Sequence, residues 1–193
     1  MAQIIRPTDD KLYDELVDLR KRVSQLERMP SGKQSLGVDY LAAVPRISAR
    51  RTTTLTIATA TWSSIDFTGG IDIDPDVMWS SANNNRFTFK TAGFWLMGCQ
   101  GVYGTNFTTG SRICAINFNS TSLGAAGTQI ARSDPNAHSS GFTNDVQCSI
   151  GKQMAVNDFV IPVVYHDAGV SIDLITTDSI PTPFTFWAVR ASR

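Results

Sequence analysis

The apolar residues of this chain follow a helical spacing near the N-terminus and a two-residue spacing after about residue 45. Between Leu12 and Leu26 they recur at alternating intervals of four and three residues, as in the seam of a coiled coil. Beyond Pro45, short apolar segments alternate with clusters of Gly, Asn, Asp and Ser, which is typical of β-strands and their turns. The pattern predicts a short helix followed by an all-β domain.

The predicted coiled coil has a narrow apolar seam with charged flanking positions. Thr8, Asp9 and Asp10 supply a capping hydroxyl and two acidic residues at its start, and Pro30 and Gly32 end it. Its charged g-to-e pairs are opposite in sign, which favours parallel chains in register. A single amphipathic helix docked on its own domain is the alternative, although such a helix usually has a wider apolar face. The seam residues are Leu12, Leu16, Leu19, Val23 and Leu26, and the flanking residues are Glu15, Arg20, Arg22 and Glu27.

The same signals divide the chain into four parts. Residues 1–7 are a candidate docking peptide, 8–29 the coiled-coil helix, 30–44 a linker or neck, and 45–193 a β-sheet head. The head contains ten candidate strands, which predict a sandwich or barrel, and a weaker one near Thr128–Ile130. The ten are Arg46–Ile57, Trp62–Phe67, Val77–Trp79, Arg86–Lys90, Phe94–Tyr103, Arg112–Phe118, Val146–Ile150, Phe159–His166, Val170–Thr176 and Phe184–Arg190.

The head is organised around Arg86–Tyr103, in which a turn at Thr91-Ala92-Gly93 separates two aromatic-rich strands and predicts a hairpin. The second strand is apolar on both faces, with Phe94, Leu96 and Val102 on one and Trp95, Met97, Cys99 and Tyr103 on the other. A strand covered on both faces needs a second layer or a second chain, and we expect a second chain. Phe184–Trp187 shows the same two-sided pattern. The side chains expected between chains are Trp95, Met97, Tyr103 and Phe186.

Composition narrows the classes of function. The 193 residues include 17 Lys and Arg against 17 Asp and Glu, so the net charge is zero. Neutrality argues against a general nucleic-acid binder or a polybasic membrane anchor. No apolar run approaches the ~20 residues of a membrane-spanning helix, and the N-terminus lacks the plan of a signal peptide. We expect a product made in a cytosol or released by a route other than secretion.

Few residues are arranged for catalysis or metal binding. His166 is followed by Asp167 and His138 lies in a polar loop, but neither accompanies a recognisable nucleophile, and no nucleotide-binding motif is present. Asp72, Asp74 and Asp76 alternate as calcium ligands can, although a solvated turn at Pro75 is the preferred interpretation. The odd number and wide spacing of Cys99, Cys114 and Cys148 favour buried free thiols over a disulfide framework or a zinc site. We therefore expect no enzymatic activity and no cofactor.

Seven segments of the head occur in an order found in a known superfamily, namely Ala49–Thr54, Trp62–Phe67, Phe87–Trp95, Ser111–Asn117, Val156–Phe159, Val164–Gly169 and Phe184–Trp187. Their order resembles the C1q-like branch of the tumour-necrosis-factor/C1q superfamily, and more narrowly the short C1q-like virion proteins of tailed bacteriophages. The resemblance covers about residues 45–193. Asn157 stands where the family usually has Gly, and Trp95 follows Phe94 where a Tyr is usual.

The resemblance implies a ten-stranded jelly roll that assembles as a homotrimer through an aromatic-lined sheet. It favours a non-enzymatic structural protein on the surface of a phage virion, made in the host cytoplasm, either a capsid decoration protein or a head fibre. Its N-terminus would contact other capsid or tail proteins. A receptor-binding tip of a tail fibre or baseplate, recognising a host-surface glycan or protein, is one alternative. A cellular C1q-like binding module is another.

Overall fold

The computed structural model describes residues 44–104, 109–124, 128–136, 143–175 and 183–192, all within a unit that starts at Val44. The candidate docking peptide, the coiled-coil residues and nearly all of the linker lie outside these ranges and stay predictions. No helix in the described ranges is long and apolar enough to cross a membrane. The strands there are β1 (Arg46–Arg51), β2 (Leu55–Ile57), β3 (Ser63–Ser64), β4 (Ile71–Ile73), β5 (Trp79–Ser80), β6 (Asn83–Thr88), β7 (Gly93–Tyr103), β8 (Arg112–Phe118), β9 (Gln129–Ser133), β10 (Asn144–Met154), β11 (Phe159–His166), β12 (Ile172–Leu174) and β13 (Phe184–Ser192).

The strands form two antiparallel sheets, as expected of a mainly β sandwich. The first sheet runs β2-β12-β7-β13-β1-β4, and β10 pairs with β7 along its whole length. The second sheet runs β5-β6-β11-β8-β9, and β3 pairs with β11. Buried residues of both sheets belong to one apolar core, so the sheets pack face to face around it.

The described residues contain thirteen strands rather than ten, for three reasons. The predicted strand Arg46–Ile57 is divided, because β1 pairs with β13 and β4 whereas β2 pairs with β12. The weak strand near Thr128–Ile130 is present as β9. β4 was not predicted, since only three residues between a Gly pair and Pro75 form it.

The predicted hairpin around Gly93 is wrong. β6 belongs to the second sheet and β7 to the first, so the chain crosses the sandwich between them instead of folding back on itself. Both flanking aromatic side chains point into the core, where the rings of Phe89 and Trp95 meet edge to face with centroids 4.7 Å apart. Gly93 has a φ of 147°, and a Cβ there would collide with the carbonyl oxygen of Ser192. The glycine therefore serves a crossing between sheets rather than a two-strand turn.

The core contains the four side chains that were expected between chains. Trp95, Met97, Tyr103 and Phe186 each have 0% exposed surface within one chain. Phe186 stacks on Phe87 of the second sheet with ring centroids 4.3 Å apart. These residues pack the two sheets together and present no surface to a neighbouring copy, which corrects the predicted head interface.

Candidate interface on the exposed face of the first sheet

Three large apolar side chains of β7 and β13 remain exposed on the outer face of the first sheet. Successive side chains of a strand point to opposite faces, so Phe94 and Leu96 of β7 and Trp187 of β13 lie opposite the core positions. Their exposed fractions are 38%, 42% and 43%, respectively. We call these three residues the apolar patch.

Two glycines allow the aromatic rings of the patch to lie flat on the sheet. Gly98 is the register partner of Trp187, and a Cβ on Gly98 would come within 2.9 Å of the indole Cζ2. On the other side of β7, a Cβ on Gly151 would come within 2.6 Å of Cζ of Phe94. Any larger residue at either glycine would lift a ring away from the backbone. The two glycines therefore leave room for both rings to pack against the sheet.

Polar but uncharged side chains lie beside the patch. A depression of about 340 Å³ adjoins Trp187 and is lined by Gln100, Gln147, Ser149 and Thr185, together with two cysteines. The register of β7 with its neighbours places Gln100 opposite both Gln147 and Thr185. On this side the patch therefore has an uncharged polar margin, and a polar rim around an apolar centre is typical of a protein–protein interface.

The outer face of the second sheet is different, because the chain covers it with its own residues. Ala115, Ile161 and Val163 are buried there beneath Trp62, Leu123 and Phe159. Trp62 also packs on Tyr165, with ring centroids 5.0 Å apart. The chain thus supplies a cover for one outer face, while the described residues leave the apolar patch of the other exposed.

His166 and Asp167 form hydrogen bonds with backbone groups. The ring of His166 is completely buried, Nδ1 accepts a hydrogen bond from the N–H of Ala168 at 3.4 Å, and Nε2 lies 2.8 Å from the carbonyl oxygen of Ile57. Nε2 is then the protonated nitrogen and donates to that carbonyl. Burial of the ring lowers the pKa of His166. The carboxylate of Asp167 accepts a hydrogen bond from the N–H of Ser111, so the pair does not form a catalytic dyad.

The three aspartates near Pro75 have separate protein partners. Asp72 forms an ion pair with Arg50 at 3.2 Å. A carboxylate oxygen of Asp76 accepts a hydrogen bond from the hydroxyl of Thr91 at 3.3 Å. One oxygen of Asp74 accepts from the N–H of Met78 at 2.8 Å and the other from the N–H of Trp79 at 2.9 Å. These bonds support the turn interpretation over the calcium interpretation.

The three cysteines converge, which their wide spacing did not reveal. Among the described residues they are the single group of at least three His, Cys, Asp or Glu side chains whose ligand atoms come together. Cys99 and Cys148 are direct register partners on β7 and β10, and Cys114 reaches them from β8 of the second sheet. The two-residue period of each strand predicts the face on which its cysteine lies. The thiols meet only because of the register between β7 and β10 and the packing of the two sheets.

The two sheets have a TNF-like jelly-roll fold, as comparison with two solved structures shows. The chain is similar to the structure of Eiger TNF from S. frugiperda, with a TM-score of 0.55 and 8% identity over 78% of this chain and 94% of that one. It is similar to murine APRIL, with a TM-score of 0.53 and 9% identity over 76% and 98% of the two chains. The globular domain of zebrafish complement 1qA protein matches with a TM-score of 0.49 and 13% identity, over 77% and 98%. No family model and no curated protein matches the chain.

Proposed function

We propose that the chain is a non-enzymatic structural protein that assembles as a homotrimer, with the apolar patch buried between the heads. The observation that carries the proposal is the exposure of Phe94, Leu96 and Trp187 on one face of the first sheet. Clusters of exposed large apolar side chains are characteristic of interaction sites. The expected occupant is another copy of the chain, because the coiled-coil seam of residues 8–29 also calls for parallel copies.

The patch lies on strands β7 and β13, which are paired neighbours in the middle of the first sheet. In the proposed trimer, this face of each head packs against the heads of the other copies.

Further, we propose that the trimer lies on the surface of a bacteriophage virion as a capsid decoration protein or head fibre. Residues 1–7 would dock on a capsid protein, and the coiled coil would project the head outward. Support comes from the resemblance in the order of head segments and from the division into peptide, neck and head. The use of His166 and Asp167 for backbone bonding supports a structural rather than catalytic role.

Immunogold electron microscopy of purified particles of the encoding phage tests the virion role. Antibody against the head should label the capsid, and the purified chain should rebind capsids from which it is absent. A chain that lacks residues 1–7 is the matched control and should not rebind. Label at the tail tip together with adsorption of the head to host cells would indicate the receptor-binding alternative. Absence of the chain from purified particles would refute the virion proposal.

A further inference from the structure

The thiols of Cys99, Cys114 and Cys148, here called the cysteine cluster, meet inside the sandwich. The Sγ atom of Cys99 lies 3.4 Å from that of Cys148 and 4.0 Å from that of Cys114. All three Sγ atoms lie within 4.8 Å of one another. The cluster joins three strands from two sheets, because Cys114 belongs to β8 whereas the other two belong to β7 and β10.

These separations suit three sulfur ligands of one metal ion. With metal–sulfur bonds of ~2.3 Å, sulfur atoms around a common ion are ~3.8–4.0 Å apart in tetrahedral or trigonal geometry. The separation of 3.4 Å lies below that range and the separation of 4.0 Å lies at its upper end, so small rotations of the side chains would bring the three atoms into place. No shift of the sheets is required.

The apolar surroundings of the cluster favour a soft ion. Cys99 and Cys114 are buried among apolar core residues, while Cys148 is partly exposed.

The number of ligands distinguishes between soft ions. Structural zinc is nearly always held by four protein ligands, whereas the described residues bring three suitable side chains together here. Thiolate sulfur is preferred by copper(I), and three sulfurs complete a trigonal coordination shell. A disulfide between Cys99 and Cys148 is the competing use of these residues, and it would leave Cys114 as a single thiol.

We propose that Cys99, Cys114 and Cys148 form a three-sulfur site for a thiophilic monovalent ion of the copper(I) class. Binding would release thiol protons to solvent and link β7 and β10 of the first sheet to β8 of the second. The ion would therefore stabilise the folded head. This site is independent of the proposed trimer interface and of the virion role.

The test titrates the reduced full-length chain, without oxygen, with copper(I) held by a coloured chelator such as bathocuproine disulfonate. We expect transfer of one copper ion per chain and a rise in melting temperature of about 5–10 °C when free copper is a hundredfold above Kd. Cys114→Ala should bind at least about 100-fold more weakly, since loss of groups that only orient a ligand already costs 10–100-fold. Far-ultraviolet circular dichroism checks that this variant is folded.

A second variant and a chemical probe keep the test decisive if Cys114→Ala does not fold. Cys148→Ala removes the partly exposed thiol and should also abolish stoichiometric transfer. In the unaltered chain, bound copper should protect all three thiols from alkylation. Equal copper transfer by the variants, or no transfer to the native chain, would overturn the proposal. The proposal would also be overturned if protein isolated without oxygen had an intact mass two hydrogen atoms below that of the fully reduced chain, because this difference would show the disulfide.

Discussion

Replacement of Trp187 by alanine removes the largest member of the apolar patch without opening a cavity in the core. The indole covers Gly98 on the outer face, and 43% of the residue remains exposed in the single chain. A large aromatic side chain can bury ~250 Å², so ~110 Å² of Trp187 is left for a neighbour to cover. At ~25 cal/mol per Å² this area is worth ~2.7 kcal/mol per chain, or ~8 kcal/mol per trimer, as an upper value.

This free energy translates into a large change in the concentration at which trimers dissociate. A loss of ~8 kcal/mol changes the trimer dissociation constant by nearly 10⁶. Because that constant has the dimension of concentration squared, the midpoint concentration rises by about its square root, ~10³-fold. The full-length chain keeps its coiled coil, so the comparison is between two chains that differ at one head residue.

Sedimentation equilibrium across a range of concentrations measures this midpoint. Val170→Ala is the matched control, because Val170 is equally exposed, at 44%, but lies away from the patch. It lies between β11 and β12, and β12 pairs with β7 at Tyr103, the opposite end from Phe94 and Leu96. The control should dissociate like the unaltered chain, and both variants should keep the circular dichroism spectrum of the native head. Equal dissociation midpoints for Trp187→Ala and Val170→Ala would refute the patch as the interface.

Three further predictions concern the head itself. Phe186→Ala should lower the free energy of unfolding by ~3–5 kcal/mol in chemical denaturation, because the ring stacks on Phe87 in the core; an effect as small as that of Trp187→Ala would reverse our assignment of the faces. Tyr103→Phe should cost ~1–3 kcal/mol in the same assay, since its buried hydroxyl contacts the carbonyl oxygens of Ile113 and Tyr165 across the sandwich at 2.8 and 2.9 Å; unchanged stability would show that these contacts contribute nothing. Burial lowers the pKa of His166 in the folded chain below its usual 6.5, so the unfolded chain binds the proton first as the pH falls. The stability that neutral His166 contributes is therefore complete above about pH 6.5 and is lost as the pH falls through the lower pKa of the folded chain. Melting temperature against pH should fall less steeply below that pH in His166→Gln, and equal slopes would contradict the assignment.

The sequence supports the strands and their alternation because these depend on local patterns. The opposite orientation of Phe94 and Trp95 follows from the two-residue period of any strand and is confirmed by their burial. Which face of β7 meets the core does not follow, since both faces are apolar. Gly98 and Gln100 on the face of Phe94 are the signal that could have identified the outer side.

Long-range pairing accounts for what the sequence could not predict. A glycine between two aromatic strands is compatible with a hairpin or with a crossing between sheets, and the choice at Gly93 depends on partners far along the chain, such as β10 and β13. The cysteine cluster is a similar case, because Cys99 and Cys148 become neighbours only through the register of β7 with β10. The three-residue strand β4 is too short to give a periodic pattern of its own.

The mass of the full-length chain in solution tests the central claim that three copies share the apolar patch. Multi-angle light scattering of the eluted peak should give 63.0 kDa, three times the chain mass of 21.0 kDa. A peak that stays at 21.0 kDa at every concentration would show that the chain leaves Phe94, Leu96 and Trp187 uncovered by another copy, and would contradict the account.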